Sequence, residues 1–155
     1  MHYLMKEFEV NIRKEILNFG MPWEAQFGYA QAVRVADTIY VSGQLSHDAE
    51  GNIVAPGPVP IGGKPRDYSN MEAQIRQTYS NLARILSHFK AVPDQVVEEV
   101  LYVLDMDSAF AGAIPVRRQF YGVEIPKVAS TLVCTPRLAF PTQLVEIKFV
   151  VRVLT

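Results

Sequence analysis

The feature that most constrains the fold is residues 144–154. Val145, Ile147, Phe149, Val151 and Val153 alternate with Glu146, Lys148 and Arg152. Successive side chains of a strand point to opposite sides, so this period of two gives one unbroken apolar face. Such a face must be buried against another layer, here a sheet face laid on helices. The other face is mixed: Leu144, Val150 and Leu154 interrupt its charges. A half-apolar outer face suggests cover from another subunit.

The remaining elements fit that layer. Val33 and Val35, then Ile39 and Val41, alternate with polar neighbours on either side of Ala36-Asp37, a hairpin signal that ends in Ser42-Gly43-Gln44. Residues 12–18 form a weaker strand, Pro22 opens a short helical turn, and Trp23 reads as a packing residue at the core's edge. Asn70 is placed to cap a long helix on which Ile75, Tyr79, Leu82, Leu86 and Phe89 share a face. Residues 96–104 read as a central strand, with Glu98 and Glu99 making its first half ambiguous. Asp107 is expected to cap a second helix from about Ser108 that breaks or restarts at Pro115 and stops at Gly122. Residues 129–134 form a further strand, with Ser130, Leu132 and Cys134 on one side. The order strands, helix, strand, helix, strands gives an α+β class.

Residues 1–155 read as a single domain with a loosely ordered segment at 1–11. Four prolines and three glycines in residues 55–65 exclude regular structure and indicate an ordered surface loop. A composition of 49% hydrophobic and 20% charged residues is that of an ordinary globular protein. The net charge of -1 and the absence of any Lys/Arg run longer than two argue against nucleic acid as a partner. No apolar run reaches membrane-span length and no signal peptide is evident, so the expected compartment is cytoplasmic. His2, His47 and His88 are scattered and there is one cysteine, so neither a metal site nor a cofactor is expected. Ser42 has no evident His/Asp partners for a triad, and Cys134 reads first as a small buried apolar residue. Glu146 stands apart as a carboxylate in the middle of an apolar strand, where it needs a partner such as Lys148 or a neighbouring chain, or else a function.

The run Gly28-Tyr29-Ala30-Gln31-Ala32-Val33 leading to Tyr40-Val41-Ser42-Gly43-Gln44 resembles the RidA/YjgF family, which acts on reactive enamines and imines. Gln74, the Asn81-Leu82 pair, Val103-Leu104-Asp105-Met106-Asp107, Ala129-Ser130-Thr131-Leu132-Val133 and Leu144-Val145-Glu146-Ile147 continue the resemblance, which covers roughly residues 12–155. It implies a chorismate-mutase-like fold, with a sheet on two helices, and a homotrimer with clefts between subunits.

The resemblance also implies that Glu146 positions a water for attack on an imine carbon, with Tyr29 and Ser42 supplying hydroxyls. It places Ser130, Leu132 and Cys134 toward the same cleft. Deaminating relatives carry an arginine where this chain has Ser130, and that arginine grips a substrate carboxylate. Bonds to charged groups contribute roughly 1.5–3 kcal/mol, so its loss weakens binding of small carboxylates. Arg34, Lys127 or Arg137 are the candidate replacements, Arg137 foremost as a ligand-binding residue. The expected function is a small-metabolite-binding trimer that hydrolyses an enamine- or imine-type substrate but is not an efficient 2-aminoacrylate deaminase. A non-catalytic binding module on the same fold is the alternative. An endoribonuclease or translation inhibitor is the third reading, disfavoured by the charge. The loop 55–65 is longer than its counterpart in typical relatives.

Overall fold

The computed structural model describes residues 11–61, 63 and 65–154. The N-terminal residues expected to be loosely ordered lie outside these, apart from Asn11. The strands are β1 (Glu15–Leu17), β2 (Ala32–Val35), β3 (Thr38–Gln44), β4 (Val96–Val103), β5 (Ala129–Cys134) and β6 (Val145–Arg152). The helices are α1 (Pro22–Phe27), α2 (Met71–His88) and α3 (Met106–Tyr121). One sheet runs in the order β1-β2-β3-β6-β4-β5, antiparallel throughout except for the parallel β4–β5 pair. The class is α+β, as the element order predicted.

β6 lies inside the sheet, between β3 and β4. Val145, Ile147, Phe149 and Val151 are buried with Ile75, Tyr79, Leu82 and Leu86 of α2 and Ala109, Ala113 and Val116 of α3. Among the described residues α2 and α3 leave the opposite face uncovered, and Lys148 and Arg152 are exposed on it. Val33 pairs with Tyr40, and Tyr40 with Val150, so the valines of β2 help line this open face rather than the core. Tyr40 is 52% exposed there. Leu144, expected on the outer face, is instead fully buried beneath the 55–65 loop. Gly57 makes that possible, since a Cβ at 57 would lie 2.6 Å from Leu144 Cδ2.

Two extra residues reset the alternation. β4 steps from Val96 to Glu98 while β6 steps from Val151 to Val150, so Val97 is bulged out. The bulge brings Val96 to the buried side already occupied by Glu99, Leu101 and Val103, which strict alternation does not foresee. Glu99 itself is completely buried. It accepts hydrogen bonds from Tyr79 Oη (2.6 Å), Tyr121 Oη (2.7 Å), Ser130 Oγ (2.8 Å) and Arg117 Nε. Burial and the nearby carboxylate raise the pKa of both tyrosines, so both remain hydroxyl donors. Partial burial works to lower the Arg117 pKa, and the Glu99 charge and hydrogen bond, together with Tyr79 and Tyr121, outweigh it.

The helix ends differ in detail from expectation. Asn70 does occupy the N-cap position of α2, but its side chain donates to Pro56 O (3.0 Å) and not to the helix. α3 starts two residues early because Asp105, not Asp107, is its cap, accepting from Ser108 N at 2.9 Å. Pro115 does not break α3. The carbonyl it leaves without a donor belongs to Ala111, and both residues are exposed, so water can satisfy that group. Gly122 ends α3 in the left-handed region (φ 69°).

Removing one member of a buried ion pair strands the other charge. Arg117→Met should therefore destabilise the fold by about 3 kcal/mol in urea denaturation. The double variant Glu99→Gln, Arg117→Met should cost less than that single change, since no charge is left unpaired. Equal costs would show that Glu99 does not depend on Arg117.

Candidate functional site

Glu146 sits on the open face of β6, opposite Tyr102 of β4. The second irregularity of the sheet lies beside it. β3 steps from Val41 to Gln44 while β6 steps from Phe149 to Ile147, so the Ser42-Gly43 segment bulges. The Glu146 carboxyl rests in the space beside Gly43: a Cβ on residue 43 would fall 2.7 Å from its Cδ and 2.8 Å from its Cγ. The identity of residue 43 is thus fixed by room for a carboxylate, not by a special backbone angle. Among the described residues Glu146 has no cationic partner. Lys148, the candidate counter-ion, pairs instead with Glu98 at 3.6 Å. Among the described residues the one donor to Glu146 is Gln143 Nε2 at 3.2 Å. Burial raises the Glu146 pKa, and the Gln143 bond offsets part of that rise.

Tyr29 is positioned by the turn before it. Pro22 opens α1 with its φ already set for a helix. The buried Glu24 carboxylate then accepts the backbone N–H groups of Phe19 (2.7 Å), Gly20 (2.9 Å) and Met21 (3.0 Å). Gly28 closes the helix at φ 83°, and Tyr29 follows. Burial raises the Tyr29 pKa; Trp23 and Gln31 lower it, and the charges of Glu24 and Glu146 add to the rise. Its hydroxyl also accepts from Gln31 Nε2 at 3.4 Å. The Trp23 indole N–H is buried without a partner in full hydrogen-bond geometry. Ser42 Oγ donates to Ala30 O at 2.7 Å, so it can meet a ligand only as an acceptor. Glu146, Tyr29 and Ser42 are therefore brought to one part of the molecule.

The β5 residues lie elsewhere. Ser130 pairs with Glu99, Leu132 with Leu101 and Cys134 with Val103, which places them on the helix side of the sheet, opposite to Glu146. Ser130 spends its hydroxyl on Glu99. Leu132 packs against the core. Cys134 is exposed, contrary to its reading as buried, because β5 is an edge strand whose end is not covered. Cys134 and Arg137 line a cavity of about 1010 Å³ between the 55–65 loop region and the β5–β6 connection. Arg34 is held on the hairpin, with its Nε donating to Ala36 O at 2.9 Å. Lys127 is exposed ahead of β5.

The family model described as Endoribonuclease L-PSP matches residues 22–153. The chain belongs to this family, also called RidA/YjgF. A YjgF/YER057c/UK114 family member from Mycobacterium tuberculosis is 23% identical, with 91% of this chain and 100% of that chain covered and a TM-score of 0.69. A Rid-family protein of unknown function from Yersinia pestis is 22% identical over 91% of this chain and 100% of that chain, with a TM-score of 0.70. Yeast Mmf1 is 17% identical over 92% and 97%, with a TM-score of 0.67. These likenesses establish the RidA/YjgF fold for this chain.

Sequence reasoning marked Gly43 as a place for a turn or a close approach without seeing that it makes room for Glu146, and it missed Gln143 and the Glu99 cluster. A signal for the last was available. Glu99 is a carboxylate in an apolar strand, as Glu146 is, and Arg117 and Tyr121 stand one helical turn apart.

Because folding raises the Glu146 pKa, it favours the protonated form. That contribution is complete below the ordinary carboxyl value of 4.5 and is lost as pH rises through the raised folded value. Glu146→Gln removes this titration. Its Tm should match the wild type at acid pH and exceed it toward neutrality. A variant that is less stable at neutral pH would mean that the carboxylate is held by contacts beyond Gln143.

Proposed function

We propose that this RidA/YjgF protein is a homotrimer of single domains that hydrolyses an enamine- or imine-type metabolite lacking a small carboxylate. The observation that carries the reading is Glu146: a carboxyl whose pKa is raised by burial, with one amide donor and no cation, in the space left by Gly43. Such a group can take a proton and return it. In hydrolysis, water adds to the carbon of the protonated imine and passes one proton to the ionised Glu146, leaving a neutral carbinolamine. Glu146 returns that proton to the nitrogen, the C–N electrons leave with ammonia, and the hydroxyl oxygen's electrons form the carbonyl as its proton passes to solvent. Tyr29 and Ser42 orient the ligand, Tyr29 through its hydroxyl and Ser42 through a lone pair.

Trimerisation is supported by the uncovered, half-apolar sheet face of Val33, Tyr40 and Val150. It would also let Ser130, Leu132 and Cys134 of one subunit approach Glu146 of another, which one chain alone cannot do. Exclusion of 2-aminoacrylate rests on Ser130, which is neutral and already bonded to Glu99.

Sedimentation equilibrium should give about three times 17.4 kDa. Tyr40→Glu should lower that mass by burying an unpaired charge. Ammonia release should be measured from a carboxylate-free imine generated in place by an amine oxidase, beside freshly formed 2-aminoacrylate. The first should be accelerated and the second should stay near its uncatalysed rate. Glu146→Gln should reduce the acceleration by roughly 10²–10⁴-fold, the usual contribution of acid–base assistance. Gly43→Ala should do nearly as much while leaving the fold intact, because only the flexible end of Glu146 must move. No acceleration of either substrate would leave a binding module.

A further inference from the structure

We infer that the outward face of α3 pairs antiparallel, across a two-fold axis, with the same face of a second copy of this chain. α3 buries Ala109, Gly112, Ala113 and Val116 against the rest of the fold. Its other side is exposed, yet it is not polar as a solvated helix face would be. Phe110 is 63% exposed there, Met106 39% and Ile114 37%. Asp107, Ala111, Ile114 and Arg118, all exposed, are spaced four, three and four apart. That spacing sets them in one row along the helix, the kind of seam by which two helices pack. The row is charged only at its ends, negative at Asp107 and positive at Arg118.

A row with opposite charges at its two ends and apolar residues between is complementary to itself when reversed. In an antiparallel pair Asp107 of each copy faces Arg118 of the other, and Ala111 faces Ile114. The small Ala111 lets the helices approach closely, and the reversed direction also sets the two helix dipoles against each other favourably. A parallel pair would instead put like charges together at both ends. Within one chain the two charges stand about three helical turns apart, roughly 16 Å, so neither can satisfy the other. Asp107 has no ion pair among the described residues, and Arg118 meets Glu124 at 2.8 Å in an exposed pair made through one of its nitrogens. Pro115 lies on the flank of the row, so the Ala111 carbonyl it leaves without a donor stays at the rim, within reach of water. Glu146 and the half-apolar sheet face lie across the sheet from α3, so the inference rests neither on the hydrolytic reading nor on the trimer.

One helix pair is a small contact beside the roughly 1,200–2,000 Å² of a stable interface, so the pairing is expected to be reversible and to show only at high concentration. Sedimentation velocity at low salt should show the smallest assembly, whatever its chain count, gaining mass as concentration rises, the first step being a doubling. Ile114→Asp should abolish the gain. Asp107→Arg brings like charges together at both ends of the pair, and so does Arg118→Asp. Each alone should raise the half-association concentration about tenfold. An equimolar mixture of these two variants should associate as the wild type does, because each presents the charge the other lacks. Such rescue cannot arise within one chain or from a damaged fold. A wild type that does not gain mass, whatever covers the face instead, would overturn the pairing. So would a gain that survives Ile114→Asp, or a mixture that associates no better than its components. Glu146→Gln should leave the gain unchanged. A single chain on dilution that doubles on concentration would sink the trimer and leave this pairing standing, so the two failures are distinguishable.

Discussion

Everything in this chain follows from a sheet that is covered on one side. Two helices can cover one face of six strands, and the sequence commits that face to Val145, Ile147, Phe149 and Val151. The alternation of β6 then decides by parity where every other residue on the strand must go. Glu146 is exiled from the core not by its own preference but because its neighbours claim the other side. The open face is left with Val33, Tyr40 and Val150, apolar surface that water covers at a cost of about 25 cal/mol per Å². The proposed association and the partly dry carboxylate both trace to one constraint.

The second organising element is a set of buried polar side chains on α2. Gln74 donates to Ala55 O and Thr142 O and accepts from Leu144 N at 2.8 Å. Asn81 Nδ2 donates to Leu45 O (2.9 Å) and His47 O (3.0 Å). Both are completely or almost completely buried. A buried amide left unsatisfied costs roughly 1–3 kcal/mol, so each loop is held to the helix by the cost of leaving. The helix thereby does two jobs: its apolar stripe carries the sheet, and its flanking amides replace the backbone partners that irregular segments lack. The loop after β3 and the proline-rich loop owe their shape to these two residues.

Much of the fold was legible because its signals are local and periodic: the β6 alternation, the α2 stripe, the Ala36-Asp37 hairpin and the Gly122 stop. The misreadings come from events that periodicity cannot carry. One bulged residue, Val97, moved Val96 to the core side, and no single-strand pattern announces a bulge; Glu99 shares parity with Leu101 and Val103, but its partners come from α2, α3 and β5. Pro115 survived because Ala111 is exposed, which depends on how α3 packs. Cys134 is exposed because β5 is an edge, and strand order is a global property. Of the site, Glu146 stood out as a charge in an apolar strand. Its setting did not, since Gly43 and Gln143 matter only through a cross-strand register.

The sheet holds two carboxylates on opposite faces, and their treatment separates structure from chemistry. Glu99 receives four donors, one of them a guanidinium, so its charge is fully balanced and its oxygens have little left to offer. Glu146 receives one amide and is partly buried, so the charged form is under-supported and protonation is within easy reach. A protein that needed Glu146 only for stability would be served by an apolar residue at that position on the open face. Ser130 belongs to this contrast. At the position where deaminating relatives are expected to carry an arginine, a guanidinium here would point to the same side of the sheet as Glu99, which Arg117 already neutralises. The hydroxyl of Ser130 instead completes the Glu99 shell at 2.8 Å. Serine at position 130 thus accompanies a buried carboxylate that draws its cation from α3, so the Glu99 charge is balanced within one chain.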